Sequence, residues 1–130
     1  MGKSGVGMPA HALLNAWGQL VWDAFGETPY LVGSATTTTE WRDVDVRVML
    51  SAKQWKRLLP DVPPENGGGF VYPRYAALSM AVSAWGRQFT GLPIDFQFQP
   101  AVYANEKYKG RRDPLGVRLE MPARPKTKTA

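Results

Sequence analysis

The chain has 130 residues, the usual size of one domain and enough for a hydrophobic core. Apolar residues make up 44% and charged residues 21%, as in soluble globular proteins, and the net charge is +5. The absence of cysteine excludes disulfides and thiolate metal sites. No apolar run approaches the roughly 18 residues of a membrane span, and the first ten residues lack the apolar segment of a secretory signal. We therefore expect a cytoplasmic protein with no membrane partner.

Hydrophobic periodicity predicts seven elements of secondary structure. In the helical segments apolar residues recur three and four positions apart, whereas in the strands apolar and polar residues alternate. Glycine and proline mark the ends of these segments, and residues 103–113 are predicted to form a basic, polar connection. The predicted elements are, in chain order, helix 10–25, strand 30–32, strand 42–50, a short helix capped by Ser51, helix 72–89, strand 94–99 and strand 115–121.

The order of these elements predicts the fold class. Helices and strands do not alternate strictly, which favours an α+β fold with a mixed or antiparallel sheet and helices packed on one face. We expect one domain over residues 1–121, with a flexible N-terminus at 1–8 and a glycine-rich loop at 61–70. Residues 122–130 form a basic C-terminal tail that cannot bury apolar surface, and we expect it to be disordered.

Three aspartates lie on the polar faces of two predicted strands. Asp43 and Asp45 alternate with valines in one strand, and Asp95 lies in the other. If the strands are neighbours, the three carboxylates share one side of one sheet, where like charges repel. A divalent cation reverses the sign of that interaction, and oxygen ligands suit Mg²⁺ or Mn²⁺. The alternative is a solvent-facing strand whose aspartates are neutralised by Arg42 and Arg47.

The pattern of glycine, serine and aspartates resembles the nucleotidyltransferase superfamily with the DNA polymerase β type of catalytic core. The matching residues are a strand ending in Gly33 and Ser34, an Asp-Val-Asp-Val run over 43–46, and a third carboxylate on a later strand. The resemblance spans about residues 10–121 and implies the minimal nucleotidyltransferase fold. It also implies Mg²⁺- or Mn²⁺-dependent transfer of a nucleoside monophosphate from a nucleoside triphosphate, such as ATP, to an acceptor hydroxyl, with release of pyrophosphate.

The resemblance implies a role for each matching residue. Asp43 and Asp45 are expected to bridge the metal ions, and Asp95 is expected to bind the catalytic metal and to help activate the acceptor hydroxyl. Gly33 and Ser34 are expected to hold the triphosphate, because glycine lets the backbone approach and the serine hydroxyl and nearby N–H groups bind phosphate oxygens. Further phosphate contacts are expected from Arg42, Arg47 and Lys53.

A departure from the family pattern keeps a second interpretation open. Eight residues separate Ser34 from Asp43, fewer than is usual in the family, and they are poor in helix formers. In this alternative the chain is an inactive nucleotidyltransferase-like scaffold that binds nucleic acid or protein. A basic run with interleaved tyrosines, containing Lys107, Lys109, Arg111 and Arg112, favours contact with nucleic acid. The acceptor of an active enzyme stays open: a small molecule, a nucleic-acid end or a protein side chain.

Overall fold

A computed structural model describes residues 4–66 and 69–116, which form an α+β fold around a mixed sheet. In this part of the chain the sheet has four strands in the order β3-β2-β1-β4; β1 is antiparallel to β2 and β4, and β2 is parallel to β3. The predicted α+β class with a mixed sheet is therefore confirmed. The elements are α1 (Ala10–Phe25), β1 (Pro29–Val32), β2 (Val44–Leu50), α2 (Ala52–Leu58), α3 (Pro73–Thr90), β3 (Ile94–Pro100), α4 (Ala101–Lys107) and β4 (Asp113–Pro114), with 3₁₀ turns at Gly33–Thr36 and Pro64–Asn66.

The apolar face of the sheet packs against α1 and α3. The inward side chains of β2 and β3 are fully buried, among them Val46, Phe96 and Phe98. The Trp17 ring of α1 meets the Phe96 ring edge to face at 6.2 Å, and Tyr75 of α3 is buried beside the same core. The alternation in the sequence therefore predicts correctly which side chains form the core, and it leaves the opposite face of β2 and β3 polar.

The outer edge of β3 is covered by polar side chains of α3. Among the described residues β3 is the last strand on this side, so its outward backbone groups need other partners. From Ser83 to Arg87 four residues of helix rise about 6 Å, and from Phe96 to Ile94 two residues of strand span about 6.6 Å, so the two elements stay in step over this part. The bonds join Tyr75 Oη to the Phe98 carbonyl (2.8 Å), the Phe96 N–H to Ser83 Oγ (2.9 Å) and Arg87 Nε to the Ile94 carbonyl (3.0 Å).

The C-terminal part of the fold differs from the sequence-based prediction. Residues 103–107, predicted to belong to a basic connection, form most of α4, which begins directly after Pro100. Two alanines within this run favour helix, and the neighbouring charges conceal that preference. The last described strand is Asp113–Pro114, which pairs with β1. Of the longer strand predicted over 115–121, residues 117–121 lie outside the described part of the chain.

Gly5 and Val6, within the N-terminus predicted to be flexible, contact the rest of the fold. The Gly5 N–H donates to the Ala35 carbonyl at 2.6 Å, the Trp41 indole N–H donates to the Gly5 carbonyl at 3.0 Å, and Val6 is buried in the core. A side chain at Gly5 would overlap the Thr38 carbonyl. Glycine here permits close packing of two backbones, an arrangement that composition alone does not distinguish from flexibility.

Some predicted features lie outside the described residues. These are the disordered tail at 122–130 and two of the three glycines of the predicted loop, at 67 and 68. The described part of that loop contains the 3₁₀ turn Pro64–Asn66. Across residues 4–66 and 69–116, none of the helices has both the length and the apolar character needed to cross a membrane.

Candidate functional site

The three predicted aspartates meet where β2 and β3 begin. Asp45 and Asp95 are register partners in the parallel pair, and Asp43 directly precedes β2. One carboxylate oxygen from each residue lies within 4.8 Å of the other two. Asp45 and Asp95 are half-buried, whereas Asp43 is exposed. We call Asp43, Asp45 and Asp95 the acidic cluster; its oxygens are near enough to one another to share a cation.

The carboxyl group of Asp45 is partly removed from water and lies near charges of both signs. Burial raises the pKa of Asp45 above its usual value, the Arg47 guanidinium opposes that rise, and the Asp95 and Asp43 carboxylates add to it. Each of these effects follows from removing a charge from water and placing like or unlike charges nearby. A cation bound at this position would offset the free-energy cost of ionising Asp45.

Arg47 lies beside the acidic cluster but is held by backbone carbonyls. Its Nη1 donates to the Asp95 carbonyl at 2.6 Å and to the Val46 carbonyl at 3.1 Å. Its Nη2 lies 3.7 Å from a carboxylate oxygen of Asp95 and 4.0 Å from one of Asp45, longer than a direct hydrogen bond. The guanidinium therefore weakens the repulsion among the carboxylates, as the alternative interpretation of the sequence expects, without binding their oxygens at hydrogen-bond distance.

Gly33 brings the end of β1 against the acidic cluster. Its φ of +76° lies in the left-handed region, and a Cβ at this position would be 2.6 Å from Asp45 Oδ2. The turn that begins here is fixed, because the Thr36 hydroxyl donates to the Gly33 carbonyl at 2.7 Å. Ser34 is exposed in the same turn. The predicted glycine thus adjoins the acidic cluster, and the absence of a side chain is what allows the close approach.

A cavity of about 590 Å³ covers the polar face of the sheet next to Asp45. Its floor runs along β2 from Asp45 to Met49, about 13 Å for four residues of strand. The floor carries the carboxylate of Asp45 and the guanidinium of Arg47 on β2. The carboxamides of Gln97 and Gln99 lie beside them on β3. The opposite wall is the segment 107–112. The lining residues on the sheet side are Val32, Gly33, Asp45, Arg47, Met49, Gln97 and Gln99.

The topology of the sheet explains why a basic segment faces an acidic cluster. β3 and β4 lie at opposite edges of the described sheet. The connection between them, α4 and residues 108–112, has to pass over β2 and β1, a distance of about 14 Å at three strand spacings. The helices α1 and α3 occupy the apolar face, so the connection covers the polar one and forms the wall of the cavity.

The four basic residues of this wall have two different roles. Arg111 binds Asp113 at 2.7 Å, and Arg112 donates to Asn105 Oδ1 at 2.9 Å as well as to two carbonyls of the wall itself. Lys107 and Lys109 are exposed, and no salt bridge to them occurs within residues 4–66 and 69–116. The arginines hold the wall in shape, and the lysines face the cavity with their charges available.

Three predicted phosphate contacts do not line the cavity. Ser34 and Arg42 are exposed and lie outside its lining. Lys53 lies on α2, which follows the end of β2 remote from Asp45. Three lining residues of the sheet did not figure among the sequence candidates: Met49, Gln97 and Gln99. The alternation of β3 places both glutamines on the same face as Asp95, and this signal alone points to them.

Comparisons with known proteins add nothing on function, so the evidence for function is the geometry of the site. A scan against models of protein families, a search of curated proteins and a search of solved structures each found no match to the chain. The site combines hard oxygen ligands, an open backbone corner at Gly33 and unpaired lysines across a cavity. Such a combination can hold a cation and an anion together.

Proposed function

We propose that this protein is a metal-dependent nucleotidyltransferase. It would transfer a nucleoside monophosphate from a nucleoside triphosphate to an acceptor hydroxyl and release pyrophosphate, on a minimal nucleotidyltransferase fold. The observation that carries the proposal is the convergence of Asp43, Asp45 and Asp95 within 4.8 Å beside Gly33, where Asp45 lines a cavity whose other wall is basic. Cations and phosphates neutralise one another in such reactions, so acidic and basic groups are both required.

The acidic cluster fits a divalent cation by the chemistry of its donors. Its ligands are carboxylate oxygens from three residues, which suit Mg²⁺ or Mn²⁺ and leave further positions for substrate oxygens. Arg47 occupies the vicinity without a hydrogen bond to a carboxylate oxygen. The position of Gly33 against Asp45 Oδ2 keeps the space above that carboxylate free of a side chain.

The protein's own residues would act mainly by positioning. Asp43, Asp45 and Asp95 would hold the metal ions, which when bound neutralise phosphate charge and stabilise the transition state. The acceptor oxygen attacks the α-phosphorus, the bond to pyrophosphate breaks, and the Asp95 carboxylate accepts the hydroxyl proton. Backbone N–H groups at Gly33 and Ser34 would orient the phosphates. Arg47, fixed by two carbonyls, would contribute a preorganised positive charge.

Metal binding provides the first test. The wild type is expected to bind Mn²⁺, measured by electron paramagnetic resonance, and to be stabilised thermally by Mg²⁺ with a nucleoside triphosphate. Asp45→Asn and Asp95→Asn are expected to weaken Mn²⁺ binding at least tenfold, since each removes a charged ligand. Asp61→Asn is the control, because Asp61 is exposed in a loop outside the cavity. Mn²⁺ binding that survives both cluster variants would refute the assignment.

Transfer itself provides the second test. The wild type is incubated with Mg²⁺, a nucleoside triphosphate labelled at the α-phosphate, and acceptors of three kinds: hydroxylated small molecules, oligonucleotides and proteins. Label should move to one kind of acceptor with matching release of pyrophosphate, and Asp95→Asn should abolish it. Metal binding without transfer to any acceptor would leave the cation site standing and contradict the activity.

A second candidate is a binding module without activity. The observation that favours it is the pair Lys107 and Lys109, exposed and unpaired on one wall. A nucleic-acid binder should lose affinity steeply as salt rises, because neutralised phosphates release counterions. Lys107→Gln with Lys109→Gln should then weaken binding of a single-stranded oligonucleotide and reduce its salt dependence. Lys53→Gln with Lys56→Gln, on the exposed side of α2, is the matched control.

A further inference from the structure

Gln99 is a largely buried residue whose side chain lines the cavity. It is 8% exposed, and none of the hydrogen bonds found in residues 4–66 and 69–116 involves its carboxamide. A carboxamide offers one acceptor and two donor hydrogens. The Gln99 carboxamide is accessible from the cavity and forms no hydrogen bond to the described residues, so its donors and acceptor are available to a ligand that enters the cavity.

The position of Gln99 on β3 fixes its distance from the acidic cluster. It lies four residues beyond Asp95 and is the register partner of Met49. Four residues of strand span about 13 Å. That is about the length of a nucleoside monophosphate, so a nucleotide with its α-phosphate at the cluster would bring its base to Gln99.

The remaining groups around Gln99 suit a flat heterocycle. Met49 offers a polarizable apolar surface on the floor of the cavity. Tyr108 lies in the opposite wall and is 52% exposed, and its ring is 6.1 Å from that of Tyr103. An aromatic ring across from the floor is a surface on which bases stack.

We propose that Gln99 is the base-recognition residue of this cavity, pairing its carboxamide with the edge of the nucleobase while the phosphates lie at the acidic cluster. The proposal rests on the proposed function. The chemistry is that of a side-chain amide with adjacent donor and acceptor, which matches the paired donor and acceptor on a base edge. Such a site rejects ligands that leave its buried polar groups unpaired.

Equilibrium binding tests this inference without requiring transfer. The probes are the four common nucleoside triphosphates and inorganic triphosphate, each with Mg²⁺, measured by isothermal titration calorimetry. The wild type should prefer one base, and Gln99→Met should lower that affinity by roughly tenfold and remove the preference. Affinity for inorganic triphosphate should be unchanged, because it carries no base. Gln88→Met, on the exposed side of α3, should leave every affinity unchanged.

Two further measurements exclude indirect explanations. Gln99→Met should leave the stability of the free protein nearly unchanged, because the carboxamide has no hydrogen bond within residues 4–66 and 69–116 to lose; a loss of binding is then not a loss of folding. Gln99→Glu removes the donor and should alter which base is preferred. A wild type without base preference, or a Gln99→Met variant that keeps it, would overturn the proposal, as expected if Gln99 is paired with water alone.

The results separate this inference from the proposed function. If the acidic-cluster variants show that there is no metal-dependent transfer, yet Gln99→Met still abolishes base preference in binding, the base site stands and the activity does not. If transfer occurs and Gln99→Met transfers with the same base preference, the activity stands and the base site is refuted.

Discussion

The two polar regions of β3 are built on opposite principles. At its outer edge, the backbone groups of β3 are paired by Tyr75, Ser83 and Arg87 of α3 at 2.8 to 3.0 Å. On its polar face, Asp95 instead faces two other carboxylates, with Arg47 no closer than 3.7 Å to a carboxylate oxygen. The first arrangement minimises the cost of burying polar groups. The second keeps a cost that a structural role does not require, which is characteristic of a functional site.

The comparison predicts opposite signs for polar-to-apolar or neutralising substitutions in the two regions. At the edge they should destabilise, because a partner is lost. In the acidic cluster they should stabilise the free protein and impair ligand binding. Four predictions test these signs, in decreasing order of effect on the free energy of unfolding.

Ser83→Ala should have the largest effect. It leaves the Phe96 N–H, which now donates to Ser83 Oγ at 2.9 Å, buried without a partner, at a cost of about 2 kcal/mol. Urea denaturation measures the change. Ser79→Ala is the control, because the Ser79 hydroxyl is buried on the same helix without a hydrogen-bond partner of ordinary length among the described residues; its substitution should change stability by less than about 0.5 kcal/mol. Equal losses in both variants would contradict the pairing at the edge.

Gly33→Ala tests the contact between the turn and the acidic cluster. The left-handed backbone at φ +76° should cost alanine about 1 kcal/mol, and the new Cβ should displace the Asp45 carboxylate. Gly26→Ala is a matched control, since Gly26 has φ +77° and open space around its Cβ position. Both variants should lose similar stability in urea denaturation, but Mn²⁺ affinity should fall in Gly33→Ala alone. Equal Mn²⁺ affinities would show that the close approach at Gly33 has no role in the site.

Tyr75→Phe should cost about 1 kcal/mol at neutral pH, because the bond to the Phe98 carbonyl is lost. Burial raises the pKa of Tyr75 to about 12, so the folded state favours the protonated phenol. Its stabilising contribution is complete below the unfolded pKa near 10 and is lost as the pH rises towards 12. The stability difference between wild type and variant should therefore shrink over this interval, measured by urea denaturation at pH 8 and 11. A stability difference between wild type and variant that is the same at pH 8 and pH 11 would contradict the burial of the Tyr75 hydroxyl.

The sequence predicts which side chains of β2 and β3 lie on the polar face, but it does not predict that the two strands pair. Alternation assigns Asp45 and Asp95 to polar faces because a strand has a period of two residues. Their register is a pairing of residues fifty positions apart, which no local pattern encodes. The sequence does not distinguish Gln99 as a site residue, since glutamine is ordinary on a polar face. The burial of Gln99 depends on the wall at 107–112, which the sequence pattern does not predict. The sequence also does not predict the pairing of the outer edge of β3, because Ser83 and Arg87 are unexceptional residues in a helix.

Asp45→Asn should have the smallest effect on stability and the opposite sign. Like charges directly opposite one another in a sheet destabilise it, and Asp45 faces Asp95 in the register. Removing one charge should raise the free energy of unfolding of the metal-free protein by about 0.5 kcal/mol. The gain is limited because Arg47 already offsets part of the repulsion. Measured in urea with excess Mg²⁺ and a nucleoside triphosphate, the order should reverse, since ligands stabilise the form that binds them. A variant that is less stable than wild type without metal would mean that Asp45 serves the fold, and the contrast between the two polar regions of β3 would then disappear.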